Sequence, residues 1–192
     1  MKKIFIQSLK IFLVMTLLTG IIYPLFISAA GQLFFSHQAN GSLIVKDGII
    51  IGSSLIGQKF ADSGYFHPRP SAINYNPIPS GASNLGLSSA LLQEQIRERK
   101  NEFRETNLIS DSIAIPSEMI FASGSGVDPH ISKQAAQLQI SRIVKARNLN
   151  ELQSKKIIVL VDSLTESRQF GIFGCEVINV LELNIKLDEL IK

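Results

Sequence analysis

The sequence predicts an α+β extracytoplasmic domain, a mixed small sheet with several helices, carried on a single N-terminal transmembrane helix. Three observations lead there. From Ile11 to Ser36 no residue is charged, a run of 26. Two β-branched runs flank Asp47-Gly48, the pattern of a tight hairpin. Beyond Ser88, stretches with apolar residues at helical spacing alternate with Gly- and Pro-rich loops. The expected organisation is a cytoplasmic N-terminus over 1–10, a transmembrane helix over 11–36 and a periplasmic α+β domain over 37–192.

As a helix the uncharged run spans about 39 Å, against a hydrocarbon core of about 30 Å. It crosses with tilt or extends past the bilayer. Pro24 can kink it, which a span tolerates better than a soluble helix. The competing reading is a cleaved signal peptide processed at Ser28-Ala29-Ala30. Against it, the apolar core exceeds the usual length of roughly 7–15 residues and continues through Phe34 and Phe35. Lys2, Lys3 and Lys10 precede the run, and the next Lys or Arg is Lys46. The positive-inside rule therefore puts the N-terminus in the cytoplasm and everything after about Ser36 outside, where a free ATP supply is not expected. Gly20, Thr16 and Thr19 offer a small-residue face for packing in lipid.

The net charge of +3 comes entirely from the same three lysines; the rest of the chain carries 16 basic and 16 acidic residues. That removes the electrostatic case for nucleic-acid binding. Cys175 is the only cysteine, so there is no internal disulfide and no cysteine-based zinc site. His37, His67 and His130 are scattered without ligand spacing.

After the span, strands are expected over 42–46 and 49–53. Asn40-Gly41-Ser42 is formally a glycosylation sequon but also suits a turn before a strand. Gly64 to Ala90 holds four of the seven prolines. A connection of this length is functional or disordered more often than not, and Tyr65, Phe66 and Tyr75 argue against disorder. Its polar residues, Arg69, Ser71, Asn74, Asn76, Ser80, Ser83 and Asn84, suit either a recognition loop or a loop that wraps the domain and bonds to itself. Ser88 or Ser89 can cap a helix to about Thr106, with Leu92, Ile96, Arg99 and Phe103 as a narrow stripe and a mixed-charge, solvated remainder. Pro116 suits the first turn of a short helix through about Phe121.

The shaped loop Ser123-Gly124-Ser125-Gly126-Val127-Asp128-Pro129-His130-Ile131 then feeds a helix that Ser132 can cap. Ala136, Ile140, Ile143 and Val144 give it an apolar face, and Arg142, Lys145 and Arg147 load its C-terminal half, where the dipole favours cations. Asn150 can cap a helix over about 151–164, with Leu152, Ile157, Val161 and Leu164 inward, although 157–161 also reads as a strand. Gly171 and Gly174 bracket a turn carrying Phe170, Ile172 and Phe173. Val177, Asn179, Leu181 and Leu183 alternate with Ile178, Val180, Glu182 and Asn184, which predicts a closing strand.

Catalytic templates fit poorly. A nucleophile elbow needs glycines two before and two after its serine, and Ser123 and Ser125 each have the other serine in one of those places. No Gly-Lys pair exists for a P-loop. Ser125, Asp128 and His130 are triad residue types, so a membrane-anchored periplasmic hydrolase stands as the alternative function. Their closeness in sequence does not supply triad geometry. The plainer reading is a loop held by Ser and Asp side chains bonded to its own backbone, alone or with a partner contact.

Ordered motifs run through the chain: Gly57-Gln58; Tyr65-Phe66 with Arg69-Pro70-Ser71-Ala72; Tyr75-Asn76, Ser80-Gly81 and Ser83-Asn84-Leu85-Gly86. Ala122 to Gly126 with Asp128 to Ser132 comes next, then Gln139, Arg142 and Lys145-Ala146-Arg147, then Gly171 and Asn179 to Asn184. Together they resemble the C subunit of the Kdp-type potassium-transporting ATPase. Val127 stands where leucine is expected, and Cys175 sits in a variable turn. The resemblance implies a non-catalytic accessory subunit of the high-affinity ATP-driven potassium uptake pump of the bacterial inner membrane. It implies three partners: a channel-like potassium-binding subunit, a P-type ATPase subunit and a small one-span subunit. The complex uses ATP, Mg and potassium, with no cofactor assigned to this chain. The family is described as a catalytic chaperone that promotes ATP binding by the ATPase subunit. With the domain outside, such an effect has to pass through a coupled equilibrium and not a shared pocket. The partner-interface candidates are Arg69, Ser71, Asn84, Ser123, Ser125, Asp128, His130, Gln139 and Arg142, with Arg69 as the expected anchor.

Overall fold

The computed structural model describes residues 2–191. The chain forms two compact units, one through Ile51 and one from Gly52. The first unit opens with α1 (Lys2–Leu17), a π-helical turn (Leu18–Ile22) and α2 (Tyr23–Phe34), together one helix long and apolar enough to cross a membrane. None of its residues is buried. The helix starts earlier than the uncharged run, so Lys2, Lys3 and Lys10 ride on its first turns. Pro24 falls in the first turn of α2, and the wide π turn lies just before it. A proline ring would otherwise meet the carbonyl one turn earlier. After α3 (Ser36–Ala39) come β1 (Leu43–Lys46) and β2 (Ile49–Ser53), the expected hairpin. Asp47 and Gly48 both have positive φ, 53° and 78°, which the favoured two-residue hairpin turn requires.

The second unit is helical around α5. Its elements are α4 (Ala90–Asn107), a 3-10 turn (Ser117–Met119), β3 (His130–Ile131), α5 (Lys133–Ala146), α6 (Glu151–Ser163), β4 (Ile178–Asn179) and α7 (Val180–Ile191). α5 packs against α4 and α6, and α6 against α7. The core joins Phe66, Phe103, Met119, Ile131, Ile143, Ile157, Val161, Leu183 and Leu187. Fully burying a side chain of this size contributes about 1.5–3 kcal/mol. The caps follow local chemistry: Ser89 Oγ accepts from Leu92 N, Ser132 Oγ from Ala135 N, and Asn150 with Gln153 forms a capping box.

Four expectations change. There is no single mixed sheet among the described residues; the strands make two separate two-stranded sheets, β1–β2 and β3–β4, the latter antiparallel with His130 opposite Asn179. The closing strand stops after Asn179, and the chain turns into α7. Asn179 Oδ1 accepts from Leu181 N and Glu182 N, so it caps this helix. Val180, Leu183, Asn184 and Leu187 are then buried at helical spacing. Leu181 is buried as well, which hides the helical period in the short run 177–184. Leu152 is 65% exposed, because the inward face of α6 runs through Ile157 and Val161. Pro116 precedes the short 3-10 turn and does not start an α-helix. The segment 157–161 is helix.

Candidate functional site

Three loop stretches named by the sequence converge on the N-terminal end of α5. Gly57 N donates to Val127 O at 2.6 Å, Ser123 N to Pro70 O at 3.1 Å and Gly81 N to Ser125 O at 3.0 Å. Two glycines are required for this approach. A Cβ on Gly57 would stand 2.5 Å from Asp128 O, and Gly126, at φ +74°, would place one against Ile73 and Gly81 O.

Side chains tie the convergence. Arg69 Nη1 donates to Asp128 Oδ2 at 2.6 Å, and Asp128 Oδ1 accepts from His130 N at 3.0 Å. The His130 ring lies 3.4 Å from the same oxygen through Nδ1. Burial pushes the Asp128 carboxyl up, but hydrogen bonds from the His130 ring and backbone and the Arg69 guanidinium outweigh it and bring it down to about 2. His130 is raised, first by its bond to Asp128, against burial and with the help of the Asp128, Glu166 and Glu182 charges. Ser71 Oγ accepts from Ile73 N and Tyr75 N, and the Tyr75 hydroxyl donates to Arg69 O at 2.5 Å. Burial pushes that hydroxyl up to about 12. Ser123 is buried.

A second polar cluster lies along α5. Gln139, fully buried, accepts from His67 N at 2.7 Å through Oε1 and donates to His67 O at 3.1 Å through Nε2. Arg142 donates to Asn107 Oδ1 (2.9 Å), Ser63 O (2.5 Å) and Gln139 Oε1 (2.9 Å). Burial lowers its pKa to about 10, against the Asp62 charge. Arg142, expected to load the C-terminal half of the helix and to meet a partner, is 4% exposed and pins the 63–67 stretch to α4 and α5.

The structure thus brings Arg69, Ser71, Ser123, Ser125, Asp128 and His130 into one cluster and Gln139 with Arg142 into another. Asn84 is exposed with φ 53°, and no hydrogen bond among the described residues joins it to either. Sequence reasoning missed a third cluster. Arg147 Nη2 donates to Asp188 Oδ1 at 2.8 Å and Nε to Gly64 O, while its guanidinium sits 4.5 Å over the Tyr65 ring. Asn184 brackets Phe66 through its backbone N and O. Polar Asn179 and Asn184 inside an apolar run were the signal, masked by the strand reading.

The arrangement does not assemble hydrolase chemistry. Ser125 Oγ accepts from Val127 N at 3.2 Å, a local turn bond, and no hydrogen bond among the described residues joins it to His130. No group of three or more His, Cys, Asp or Glu among the described residues is placed to hold a metal. What the site offers is a shaped, polar loop surface on a rigid base.

The model of the K+-transporting ATPase c chain matches residues 5–189. The chain is 41% identical over 192 residues to the potassium-transporting ATPase KdpC subunit of Mycobacterium tuberculosis strain H37Rv, covering 99% of this chain and 100% of that one. It is 45% identical over 184 residues to the subunit of the same name from Rhodospirillum rubrum, covering 95% and 93%. The counterpart from Pectobacterium atrosepticum is 43% identical over 186 residues, covering 95% of each chain. With a family match over residues 5–189 and relatives of nearly equal length, this chain belongs to the family of the C chain of K+-transporting ATPases.

Proposed function

We propose that the chain is the non-catalytic accessory subunit of a Kdp-type potassium uptake pump, anchored in the inner membrane by its one N-terminal helix with the α+β unit in the periplasm. The observation that carries this is the pairing of a long, unburied apolar helix, basic only at its start, with loop clusters whose side chains bond one another and form no reaction centre. It joins the channel-like, P-type ATPase and small one-span subunits in a heterotetramer and acts as a catalytic chaperone. Since its folded unit lies across the membrane from the ATP pool, it raises nucleotide affinity by favouring one conformation of the assembled pump.

The converged loops are the docking surface, and Arg69 supports this. Its side chain stays 24% exposed after pairing with Asp128, so part of it remains open to a partner carbonyl or carboxylate. Arg69→Ala should reduce co-purification with the channel-like subunit far more than Arg97→Ala on the exposed face of α4. Equal retention of both, in folded chains, would show that the loop serves only this chain's own fold. For the chaperone role, the ATP concentration giving half-maximal hydrolysis should rise when the pump is purified without this chain. An unchanged value in an intact remaining complex would refute it. Protease added outside spheroplasts should remove the folded unit and spare the N-terminus.

A further inference from the structure

Residues 166–177 form a narrow hairpin-like excursion between α6 and α7. Glu166 bridges Val177 and Gln169 bridges Phe173, closed by Gln169 N to Phe173 O and Phe173 N to Gln169 O, both 2.9 Å. At its tip Phe170 is 91% exposed, Ile172 75% and Phe173 63%. Phe170 also holds φ +53°, a left-handed conformation that a bulky side chain rarely adopts. In water, three large apolar side chains presented by a strained backbone gain nothing. The family function described above leaves the feature unused, since neither loop cluster includes it.

We propose that this tip is a membrane-dipping finger, with Phe170, Ile172 and Phe173 inserted into the headgroup–acyl boundary of the bilayer that holds the chain's own anchor. The proposal rests on the anchored reading, because a span in the same chain keeps lipid within reach of the folded unit. Two features favour lipid over a protein partner. The patch is three side chains on a turn, too few by themselves to fill the roughly 800 Å² per partner of a stable protein interface, while aromatic and aliphatic side chains partition into the bilayer boundary individually. Its composition is graded, too: the apex between Phe170 and Gly174 is uncharged, whereas Glu166, Arg168 and Glu176 stand at the base. That gradient admits shallow insertion and stops deeper entry, because carboxylates resist transfer out of water.

Cys175, the chain's one cysteine, is free and exposed beside the tip, which makes the test direct. The full chain in phosphatidylcholine–phosphatidylglycerol nanodiscs is labelled there with an environment-sensitive nitrobenzoxadiazole probe, and shallow-doxyl lipids serve as quenchers. A parallel Cys175→Ser/Leu17→Cys chain reports the anchor. The proposal expects loss of most of the Cys175 probe signal to shallow-doxyl lipid, and recovery of that signal in Phe170→Ser/Ile172→Ser/Phe173→Ser. A quenched Leu17→Cys probe with an unquenched Cys175 probe overturns the finger and leaves the anchor standing. Failure of both probes to quench overturns the anchored reading and the finger with it. Undiminished quenching in the triple variant also overturns the finger, since proximity would then not depend on its apolar side chains.

Discussion

Arg142→Ala tests whether the α5 polar cluster holds the second unit together. The guanidinium is 4% exposed and donates to Asn107 Oδ1, Ser63 O and Gln139 Oε1. Gln139 Oε1 keeps His67 N after truncation, so one buried acceptor, Asn107 Oδ1, is left without its donor, while Ser63 belongs to the exposed surface. A buried acceptor without a partner costs about 1–3 kcal/mol. Offsetting this, the guanidinium no longer has to be desolvated, a cost visible in its pKa being pulled down to about 10, and water can enter the space left by the side chain. The net loss is about 1–2 kcal/mol, a sizeable share of the roughly 5–15 kcal/mol that a domain possesses. At about 3–4 °C per kcal/mol for a unit of this size, Tm falls by about 5 °C. The chain has no tryptophan, so near-UV circular dichroism of Tyr65 and Tyr75 follows the second unit in the detergent-solubilised full chain. The control is Arg97→Ala, whose pair with Glu94 is 3.5 Å long and 68% and 53% exposed; it should change stability by less than about 0.5 kcal/mol. If Arg142→Ala melts with Arg97→Ala, the cluster is ornamental and the reasoning fails.

Two further outcomes follow from the loop convergence. Gly126→Ala must accept a positive φ and a Cβ against Ile73 and Gly81 O, whereas a Cβ on Gly124 meets nothing within 4 Å; Gly126→Ala should lower Tm by several degrees, a loss of more than about 1 kcal/mol, with Gly124→Ala near wild type. Asp128, depressed to about 2, contributes stability that is present above its ordinary value near 3.8 and is lost as pH falls toward 2, while His130, raised above 6.5, contributes stability present below that value and lost as pH rises through its folded pKa; His130→Gln should therefore flatten the melting temperature on the alkaline side of pH 6.5 and shrink the acid limb, which the His130 backbone and Arg69 still partly hold, and an unchanged alkaline limb would contradict the pair.

Much of this was legible because short-range chemistry writes itself into sequence. Asp47-Gly48 announced a hairpin through its backbone requirement, and Ser89, Ser132 and Asn150 announced helix starts through their ability to cap. α7 was not legible, because Leu181 is buried beside Val180 and Leu183, and a run buried on more than one face loses its period. The sequence pointed to Ser123–Ser132 and Arg69–Gly86 as special, but their being in contact with each other depends on chain reversals through α4. The direction of Arg142 was not legible for a related reason: a cation late in a helix satisfies the dipole rule equally well pointing to solvent or inward. Only the positions of Asn107 and Ser63, far away in sequence, decide between the two.

The glycines and serines that made the loops look like a reaction site are spent on packing the loops together. Gly57 and Gly126 permit close approach, and Ser71 and Ser125 accept from their own backbones. Such loops change shape little when approached, since each would have to break bonds to its neighbours before moving. A partner docking there gains from surfaces already in place, without the ordering cost that a mobile loop imposes. Under the docking role proposed above, that gives an accessory subunit a physical reason to carry elaborate loops. For the proposed chaperone role, coupling needs only a difference in contact between two states of the partner.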